Sequence, residues 1–280
     1  MFVVAITRWG APPAASPQGA AGGPSGAGDA EVQALAEHLK LSAYDARMRM
    51  AGALPAVLES TPDAARAEAL RARFAELGHG VVACDAQRVV TLAHAPDARQ
   101  VAFEEDAFVC TPRGGAPIRV AYPELLALVR ARTRSDLETT TEKTTKKFSL
   151  GAAAISGGLV MRKKETRIET ASARSEHQEL YVFQRTARDT LILVDDRLDY
   201  AGLGQRKGRT TIESFQALCD LFVERAPDAL FDDRMVRAPR RGSLDAVGRD
   251  SGATSATTSN QGETDLAAHL LAVARFRGQL

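Results

Sequence analysis

The most constraining stretch of this chain is residues 55–78, which carries the start, the body and the end of one amphipathic helix. Asp63 has the side chain of a helix N-cap, and Gly78 supplies the left-handed residue with which many helices end. The residues between them that share one apolar face are Ala67, Leu70, Phe74 and Leu77. Because apolar residues three or four positions apart lie on one side of a helix, the segment predicts a helix with one buried face.

Short elements on both sides of this helix alternate in the order of a small α/β sandwich. Ser42 can cap a helix that continues to Met50, and Pro55, which has no N–H to donate, favours a turn or an edge strand. The predicted strands cover residues 2–7, 54–58 and 80–84, and the predicted helices cover residues 29–40, 42–50 and 63–78. The sequence therefore predicts the order β-α-α-β-α-β. Residues 10–28 are rich in Gly, Ala, Pro and Ser without apolar periodicity, which predicts a mobile loop.

This segment and this order resemble the C-terminal domain of the ribosomal stalk protein. The likeness rests on the Pro-Ala opening at Pro55, on Leu58 and on the Ala-Glu-Ala-Leu core at residues 67–70, aligned without a gap. The adaptor that feeds Clp proteases shares the fold. The resemblance implies that residues 1–86 form a small domain that docks a partner and performs no chemistry. The loop at residues 10–28 departs from the family, which has a tight connection there.

In the stalk family the first two helices carry the partner surface and use lysines. The equivalent region here offers Lys40, Arg47 and Arg49, although the positions do not match one by one. Two interpretations remain open at this point: the three residues contact an unidentified protein partner, or they are solvated helix charges. Met48 and Met50 likewise belong either to an adaptable contact face or to the core.

From residue 88 onward the pattern changes to short apolar runs divided by turn residues, which predicts a β-rich domain over residues 87–236. The predicted strands cover residues 88–92, 100–103, 108–111, 118–121, 179–184 and 191–195, with helical turns at 123–132 and a helix at 211–225. Residues 106–130 are similar to the early strands of bacterial pleckstrin-homology-like domains, whose barrel a C-terminal helix closes. The predicted fold class is α+β: a small β-α-α-β-α-β sandwich followed by a mainly antiparallel, pleckstrin-homology-like domain with a C-terminal helix.

A long hairpin insertion is predicted at residues 134–176, because residues 139–145 and 167–173 are Thr-rich and charged, as in exposed strands. Between the strands lies an apolar tip at residues 148–161. The candidate contact residues that flank or open this tip are Lys146, Lys147, Phe148, Arg162, Lys163 and Lys164. Over residues 140–174, eight basic residues stand against three acidic ones.

Three interpretations of this tip are open. An apolar wedge with a basic collar can contact an anionic membrane surface, at roughly 1 kcal/mol for each nearby Lys or Arg. The apolar residues can instead pack on the protein itself while the lysines are solvated. The hairpin at residues 138–173 can also pair with a second copy, because an exposed strand edge associates readily.

No residues are predicted to be catalytic, to bind a cofactor or to bind a metal, since no hydrolase, Walker, zinc-protease or Cys-His signature occurs. The glycine-rich run at residues 202–208 precedes a helix and could cradle a phosphate. Its spacing differs from nucleotide-binding loops, however, and no parallel strand follows, so a surface loop is favoured. The three cysteines are far apart and form no zinc-binding pattern.

The composition limits which partners and which cellular compartment we expect for this protein. Lys and Arg total 36 and Asp and Glu total 35, so the chain has no global field for nucleic acid, which is not an expected partner. The N-terminus lacks a basic leader, and no stretch approaches the ~20 apolar residues of a membrane helix, so we expect a cytoplasmic protein. The abundance of Ala and Arg is typical of a GC-rich bacterial genome.

The C-terminal region is predicted to be a disordered linker at residues 237–262, rich in Arg, Gly, Ser and Thr, followed by a short helix within residues 263–280. Together these patterns predict a non-enzymatic protein-interaction or adaptor protein. The alternative is a peripheral membrane protein that contacts lipid through the basic-flanked tip at residues 146–164.

Overall fold

The computed structural model describes residues 1–10, 28–51, 53–148, 162–186, 190–238, 240, 243–250 and 253–280. The α+β class predicted from the sequence is confirmed. The strands are β1 (Phe2–Arg8), β2 (Ala56–Thr61), β3 (Gly80–Asp85), β4 (Ala98–Phe103), β5 (Ala107–Pro112), β6 (Ile118–Ala121), β7 (Leu125–Phe148), β8 (Arg162–Gln184), β9 (Leu191–Val194), β10 (Leu230–Asp233), β11 (Ser243–Asp250) and β12 (Ala253–Ser259). The helices are α1 (Asp29–Leu39), α2 (Ala43–Met50), α3 (Ala64–Glu76), α4 (Thr211–Arg225), α5 (Arg234–Arg237) and α6 (Gln261–Phe276).

The chain divides into two compact units. The larger unit contains Met1–Arg132, His177–Arg240 and Gly262–Leu280, and the smaller unit contains Thr133–Glu176 and Arg241–Gln261. This division differs from the domain boundaries predicted from the sequence, because both predicted domains and the last helix contribute to the larger unit.

The N-terminal part of the larger unit has the predicted order β-α-α-β-α-β. Its sheet has the strand order β2-β1-β3, with β1 antiparallel to both neighbours, so β2 is an edge strand. The caps follow the sequence signals: the Ser42 hydroxyl accepts a hydrogen bond from the Asp45 amide at 3.1 Å, and the Asp63 carboxylate accepts one from the Ala65 amide at 2.8 Å. Gly78 has a φ of 85°, as its predicted role as a helix terminator requires.

The helices α1 to α3 cover one face of this sheet. The core there contains Ile6, Leu35, Leu58, Leu70 and Phe74, all fully buried. Ala67, Leu70 and Phe74 therefore form the buried face predicted for α3, while Leu77 is only partly buried.

The other face of the sheet is covered by α6. Leu270 and Ala274 of this helix pack against Val3, Ala5 and Val82. The predicted C-terminal helix is therefore present, begins a few residues earlier than expected and docks on the body of the protein.

A second core lies between the sheet β4-β5-β6 and the larger unit's portions of β7, β8 and β9. The helix α4 contributes Phe215, Leu218 and Phe222 to this core, and its observed bounds are the predicted ones. The opposite side of these β7–β9 strands packs against Ala268 and Leu271 of α6. Because α6 covers this face as well as the first sheet, the predicted boundary near residue 86 does not separate two compact units.

Two local predictions in this region are wrong. Residues 123–132 were expected to form helical turns, but the chain enters β7 at Leu125 after a 3₁₀ turn at Tyr122–Glu124. Both sides of the strand are buried, so its apolar run is continuous and lacks the alternation that distinguishes a strand from a helix. Residues 88–92, predicted as a strand, form none: Arg88 ends the 3₁₀ helix Ala86–Arg88, residues 89–91 are irregular, and a turn begins at Leu92.

The prediction of a disordered linker at residues 237–262 is also wrong for the described residues. In the smaller unit, β11 pairs with β12, and β12 pairs in antiparallel register with β7 from Ser135 to Thr141. The low apolar content that suggested disorder is compensated by main-chain hydrogen bonds and by the β-branched threonines of β12 and of the part of β7 with which it pairs. In the larger unit, β10 pairs with β7 in parallel, so the strands of this sheet are not all antiparallel.

Candidate interaction surface

The helix α2 has an exposed apolar side opposite its buried side. Ala46 and Met50, four residues apart, are buried in the core. Tyr44 and Met48, also four residues apart, are 69% and 55% exposed. Because residues at this spacing are neighbours on a helix, Tyr44 and Met48 form one apolar patch.

The three predicted partner-contact residues lie within five positions of this patch in the sequence. Lys40 is exposed and takes the left-handed conformation after α1, with a φ of 53°. Arg47 pairs with Asp29 at 3.0 Å, and Arg49 donates a hydrogen bond to the carbonyl oxygen of Leu58 at 2.7 Å. We call Lys40, Tyr44, Arg47, Met48 and Arg49 the α2 surface.

The positive charges of the α2 surface are only partly neutralised. The carboxylate of Asp29 offsets Arg47, but among the described residues neither Lys40 nor Arg49 forms an ion pair. Arg49 instead uses a main-chain carbonyl, which leaves its net charge in place. The exposed Asp45 of the same helix offsets a further part of this charge, so the α2 surface combines apolar area with a basic rim of small net charge.

An open groove of about 490 Å³ adjoins Arg49. Residues from the end of α1, from the edge strand β2 and from the start of α3 line it: Leu39, Leu41, Arg49, Val57, Leu58, Glu59, Ser60 and Arg66. Arg66 pairs with Glu59 at 2.6 Å, so this pair adds no net charge to the groove. The groove extends the basic and apolar character of the α2 surface toward a sheet edge.

The six candidate residues of the hairpin tip lie at the ends of two strands. Lys146, Lys147 and Phe148 end β7, and Arg162, Lys163 and Lys164 begin β8, but their side chains and residues 149–161 lie outside the described part of the chain. The contact of this tip with a membrane or a partner remains a prediction. Part of the hairpin edge that was predicted to pair with a second copy is already paired within the chain, because β12 forms an antiparallel pair with β7 from Ser135 to Thr141.

A buried polar cluster that the sequence did not suggest lies inside the larger unit. The Tyr181 hydroxyl is 2.6 Å from Glu179 Oε2 and 2.6 Å from Asp265 Oδ1, and His177 Nε2 is 3.1 Å from Glu179 Oε1. Glu179 and Tyr181 are fully buried, and Asp265 is 2% exposed. The hydroxyl carries one proton, so it donates to one of the two carboxyl oxygens at a time.

The pKa values of His177 and Tyr181 in this cluster are shifted by burial and by the carboxyl groups that they contact. The hydrogen bond to Glu179 raises the pKa of His177 against the opposing effect of burial. Burial, reinforced by the two acidic neighbours, raises the pKa of Tyr181 well above its ordinary value. Since the cluster is enclosed, its role is to attach the start of α6 to β8.

His79 is held neutral in the N-terminal part of the fold. Its Nδ1 accepts a hydrogen bond from the Gly10 amide at 2.9 Å, and its side chain is 2% exposed. Burial lowers the pKa of His79, and the carboxylate of Glu31, 3.8 Å from Nε2, opposes that shift.

The glycine-rich run at residues 202–208 has structural reasons for its glycines. A Cβ on Gly202 would lie 2.0 Å from the carbonyl oxygen of Val101. The Glu213 carboxylate accepts hydrogen bonds from the amides of Arg209 and Thr210, so a side chain already fills the anion position before α4. This arrangement supports the interpretation of the run as a surface loop.

The three cysteines are buried and unpaired as disulfides. Burial raises the pKa of Cys84 and of Cys110 to about 11 and that of Cys219 to about 12, so all three remain thiols at neutral pH. Among the described residues, no group of three or more His, Cys, Asp or Glu side chains is placed to hold a metal ion. In the same part of the chain, no helix has the length and apolar content needed to cross a membrane.

Comparison of the chain with protein-family models, with curated proteins and with solved structures finds no match. The likenesses to the stalk-protein domain and to pleckstrin-homology-like domains therefore stay predictions from the sequence.

Proposed function

We propose that this chain is a non-enzymatic protein-interaction module of the adaptor type, and that it binds its partner through the α2 surface. The observation that carries the proposal is the exposed Tyr44–Met48 patch, which Lys40 and Arg49 flank in the sequence. The partner that fits this surface is a protein segment that presents apolar side chains together with carboxylates.

The residue types at the patch are those that protein interfaces favour. Tyrosine gives a large rigid contact area at little entropic cost, and it dominates many measured interfaces. Methionine adapts its shape to different apolar partners. The matching pair on the inner side, Ala46 and Met50, holds the helix in place, so the outer pair is presented without reorganisation of the core.

The basic rim selects for an acidic partner. Lys40 and Arg49 carry positive charge that no ion pair of the described residues offsets, and Arg49 is held by its hydrogen bond to Leu58. Complementary charge raises the rate of association and excludes basic partners. Residues 1–86 also resemble a docking domain whose first two helices carry the partner surface. This likeness supports the placement of the docking site on the α2 surface.

The test compares variants of the full-length chain in affinity capture from the native organism. The double variant Tyr44→Ala/Met48→Ala removes the patch, and Ile212→Ala, which changes a residue that is 61% exposed on α4, is the matched control. A partner retained by wild type and control but lost by the double variant is then purified and titrated. We expect at least about tenfold weaker binding for the double variant, as for interface hot spots.

The charge requirement is tested on the same purified partner. Lys40→Glu is expected to weaken binding, and the difference from wild type should shrink as salt is raised, because exposed charges are screened. If every captured protein binds the double variant as tightly as wild type, the α2 surface is not the docking site.

A further inference from the structure

The smaller unit contains a four-stranded sheet with both sides open to solvent. Its strands are β11, β12, the part of β7 from Thr133 onward and the part of β8 up to Glu176. Residues 170–176 of β8 are all exposed, although neighbours along a strand point to opposite sides of a sheet. A sheet in a folded domain ordinarily buries one side against another layer, so this sheet has a side that a partner can cover.

One side of this sheet is charged. Arg174 Nε lies 3.1 Å from Asp136 Oδ1, and Arg134 Nη2 lies 3.1 Å from Glu176 Oε2. These two ion pairs place all four residues on the same side, and Glu138, two positions after Asp136, lies there as well. Burying this side would remove five charged groups from water, which is costly, so we expect it to stay hydrated.

The opposite side has uncharged side chains in its described central part. Strand alternation places the odd-numbered residues of β7 and β12 there, because residues directly opposite each other in the two strands point the same way. On β8, Ala173 precedes Arg174 and therefore points away from the charged side. Leu137 is 39% exposed on this side. We call the following six residues the uncharged face: Leu137, Thr139, Ala171, Ala173, Ser255 and Thr257.

We propose that the uncharged face binds a second copy of this chain, so that two sheets stack face to face in a dimer. In a dimer with two-fold symmetry the same surface patch of each copy meets the other. The charged side would bring like charges together in such a contact, whereas the uncharged face would not. Stacked sheets lie about 10 Å apart, and the small side chains of Ala, Ser and Thr permit this approach.

The size of the face predicts a weak dimer. β12 contributes 7 residues. Four strands of this length, about 4.8 Å apart and with a rise of about 3.4 Å per residue, present roughly 450 Å² to a partner. Two copies would therefore bury about 900 Å², which is less than the ~1,200 Å² of the smallest standard interfaces. We expect a dissociation constant on the order of 10–100 μM.

Sedimentation equilibrium of the full-length chain measures this dimer, and neighbouring residues on opposite sides of a strand provide matched variants. Thr139→Lys places a charge on the uncharged face, and Thr140→Lys places the same charge on the charged side. We expect the first variant to dimerise at least about tenfold more weakly, because an unpaired charge would be buried, and the second to stay within about twofold of wild type. Ala173→Glu and Ser172→Glu repeat the comparison on β8, where both residues are exposed.

Variants of opposite charge distinguish loss of the interface from loss of the fold. A mixture of Thr139→Lys with Thr139→Glu should associate at least about tenfold more tightly than either variant alone, because each added charge then faces a surface of opposite sign. Dimerisation of wild type should be the same at about 0.1 M and about 0.5 M salt, since no exposed charge pair contributes.

This dimer does not depend on the proposed docking function. Tyr44→Ala/Met48→Ala should dimerise as wild type does, so a failure of the α2 surface as a docking site leaves this result unaffected. The proposal is overturned if wild type is monomeric up to about 500 μM, well above the expected dissociation constant. It is also overturned if Thr139→Lys dimerises as tightly as wild type, or if Thr140→Lys weakens the dimer as much as Thr139→Lys does.

Discussion

The hydroxyl oxygen of Tyr181 lies 2.6 Å from a carboxyl oxygen of Asp265, although the residues are 84 positions apart in the sequence. This contact joins β8 to the first turns of α6. Because α6 also covers the sheet of β1 to β3, the contact helps to hold a helix on which two cores depend.

Tyr181→Phe should lower the free energy of unfolding by about 1–3 kcal/mol. The variant keeps the ring but removes the buried hydroxyl that forms hydrogen bonds with Glu179 and Asp265, and the loss of one partner of a buried hydrogen bond is destabilising by about this amount. Urea unfolding measures the loss. Tyr44→Phe, at a residue 69% exposed, is the control and should change the same free energy by less than about 0.5 kcal/mol. A loss of unfolding free energy in Tyr181→Phe no larger than that in Tyr44→Phe would show that the buried hydroxyl does not stabilise the fold.

Leu270→Ala should destabilise the protein by about 2–5 kcal/mol, since it leaves a cavity under α6. Leu270 is fully buried and packs in the same cluster as Cys84, whose pKa burial raises to about 11. We therefore also expect faster alkylation of Cys84 at neutral pH, because opening of α6 exposes the thiol. Phe276→Ala, at a residue 69% exposed, should change neither quantity. An alkylation rate that is unchanged in Leu270→Ala would contradict the docking of α6 on this sheet.

The helices of this fold were predictable because their signals are local. Ser42 and Asp63 cap the helices that follow them, and α4 has the bounds that its apolar spacing indicates. Such signals depend on neighbours within one or two turns, which the sequence displays directly.

The strands β7, β11 and β12 were missed or misjudged because their stability depends on distant partners. Leu125 and Leu128 face one core while Leu126 and Val129 face another, so β7 shows no alternation. The segment of β12 is polar, and its pairing with β7 is set by residues more than 100 positions earlier, which no local pattern indicates.

The candidate surface was predictable in part. Lys40, Arg47 and Arg49 were singled out from the sequence, but Tyr44 was not. Its spacing of four from Met48 was visible, yet which side of α2 is buried is decided by the packing of Ala46 and Met50 against the sheet. The Tyr181 cluster brings together residues from separate elements, so only the folded chain places it.

His79→Gln should make the protein less sensitive to mild acid. The pKa of His79 is lowered in the folded state, whereas the unfolded side chain titrates near 6.5. The unfolded state therefore binds more protons as the pH falls below about 6.5, and wild type loses stability from there down through the lowered folded pKa. The difference in unfolding free energy between wild type and His79→Gln, measured from pH 8 to pH 5, should shift against wild type on acidification.

The pKa of His177 is shifted in the opposite direction, which provides the control. Its pKa is raised, so its contribution is present below the unfolded value and is lost as the pH rises through the folded value. The difference between wild type and His177→Gln should therefore shift in favour of wild type on acidification. If the His79→Gln difference also shifts in favour of wild type on acidification, the neutral state assigned to His79 from its Gly10 hydrogen bond is incorrect.

Gly202→Ala should destabilise the protein by about 3 kcal/mol, at the upper end of the cost of overpacking. The added Cβ would lie 2.0 Å from the carbonyl oxygen of Val101, so the 3₁₀ helix Tyr200–Arg206 would have to move away from β4. Gly262→Ala is the matched control, because nothing lies within 4 Å of its added Cβ and the residue lies in the first turn of α6. That substitution should stabilise by less than the ~1 kcal/mol that alanine gains over glycine in a helix interior. Urea unfolding distinguishes the two variants. An unfolding midpoint of Gly202→Ala equal to that of wild type would mean that this glycine is not required for close packing. The interpretation of residues 202–208 as a phosphate-binding loop would then have to be tested directly.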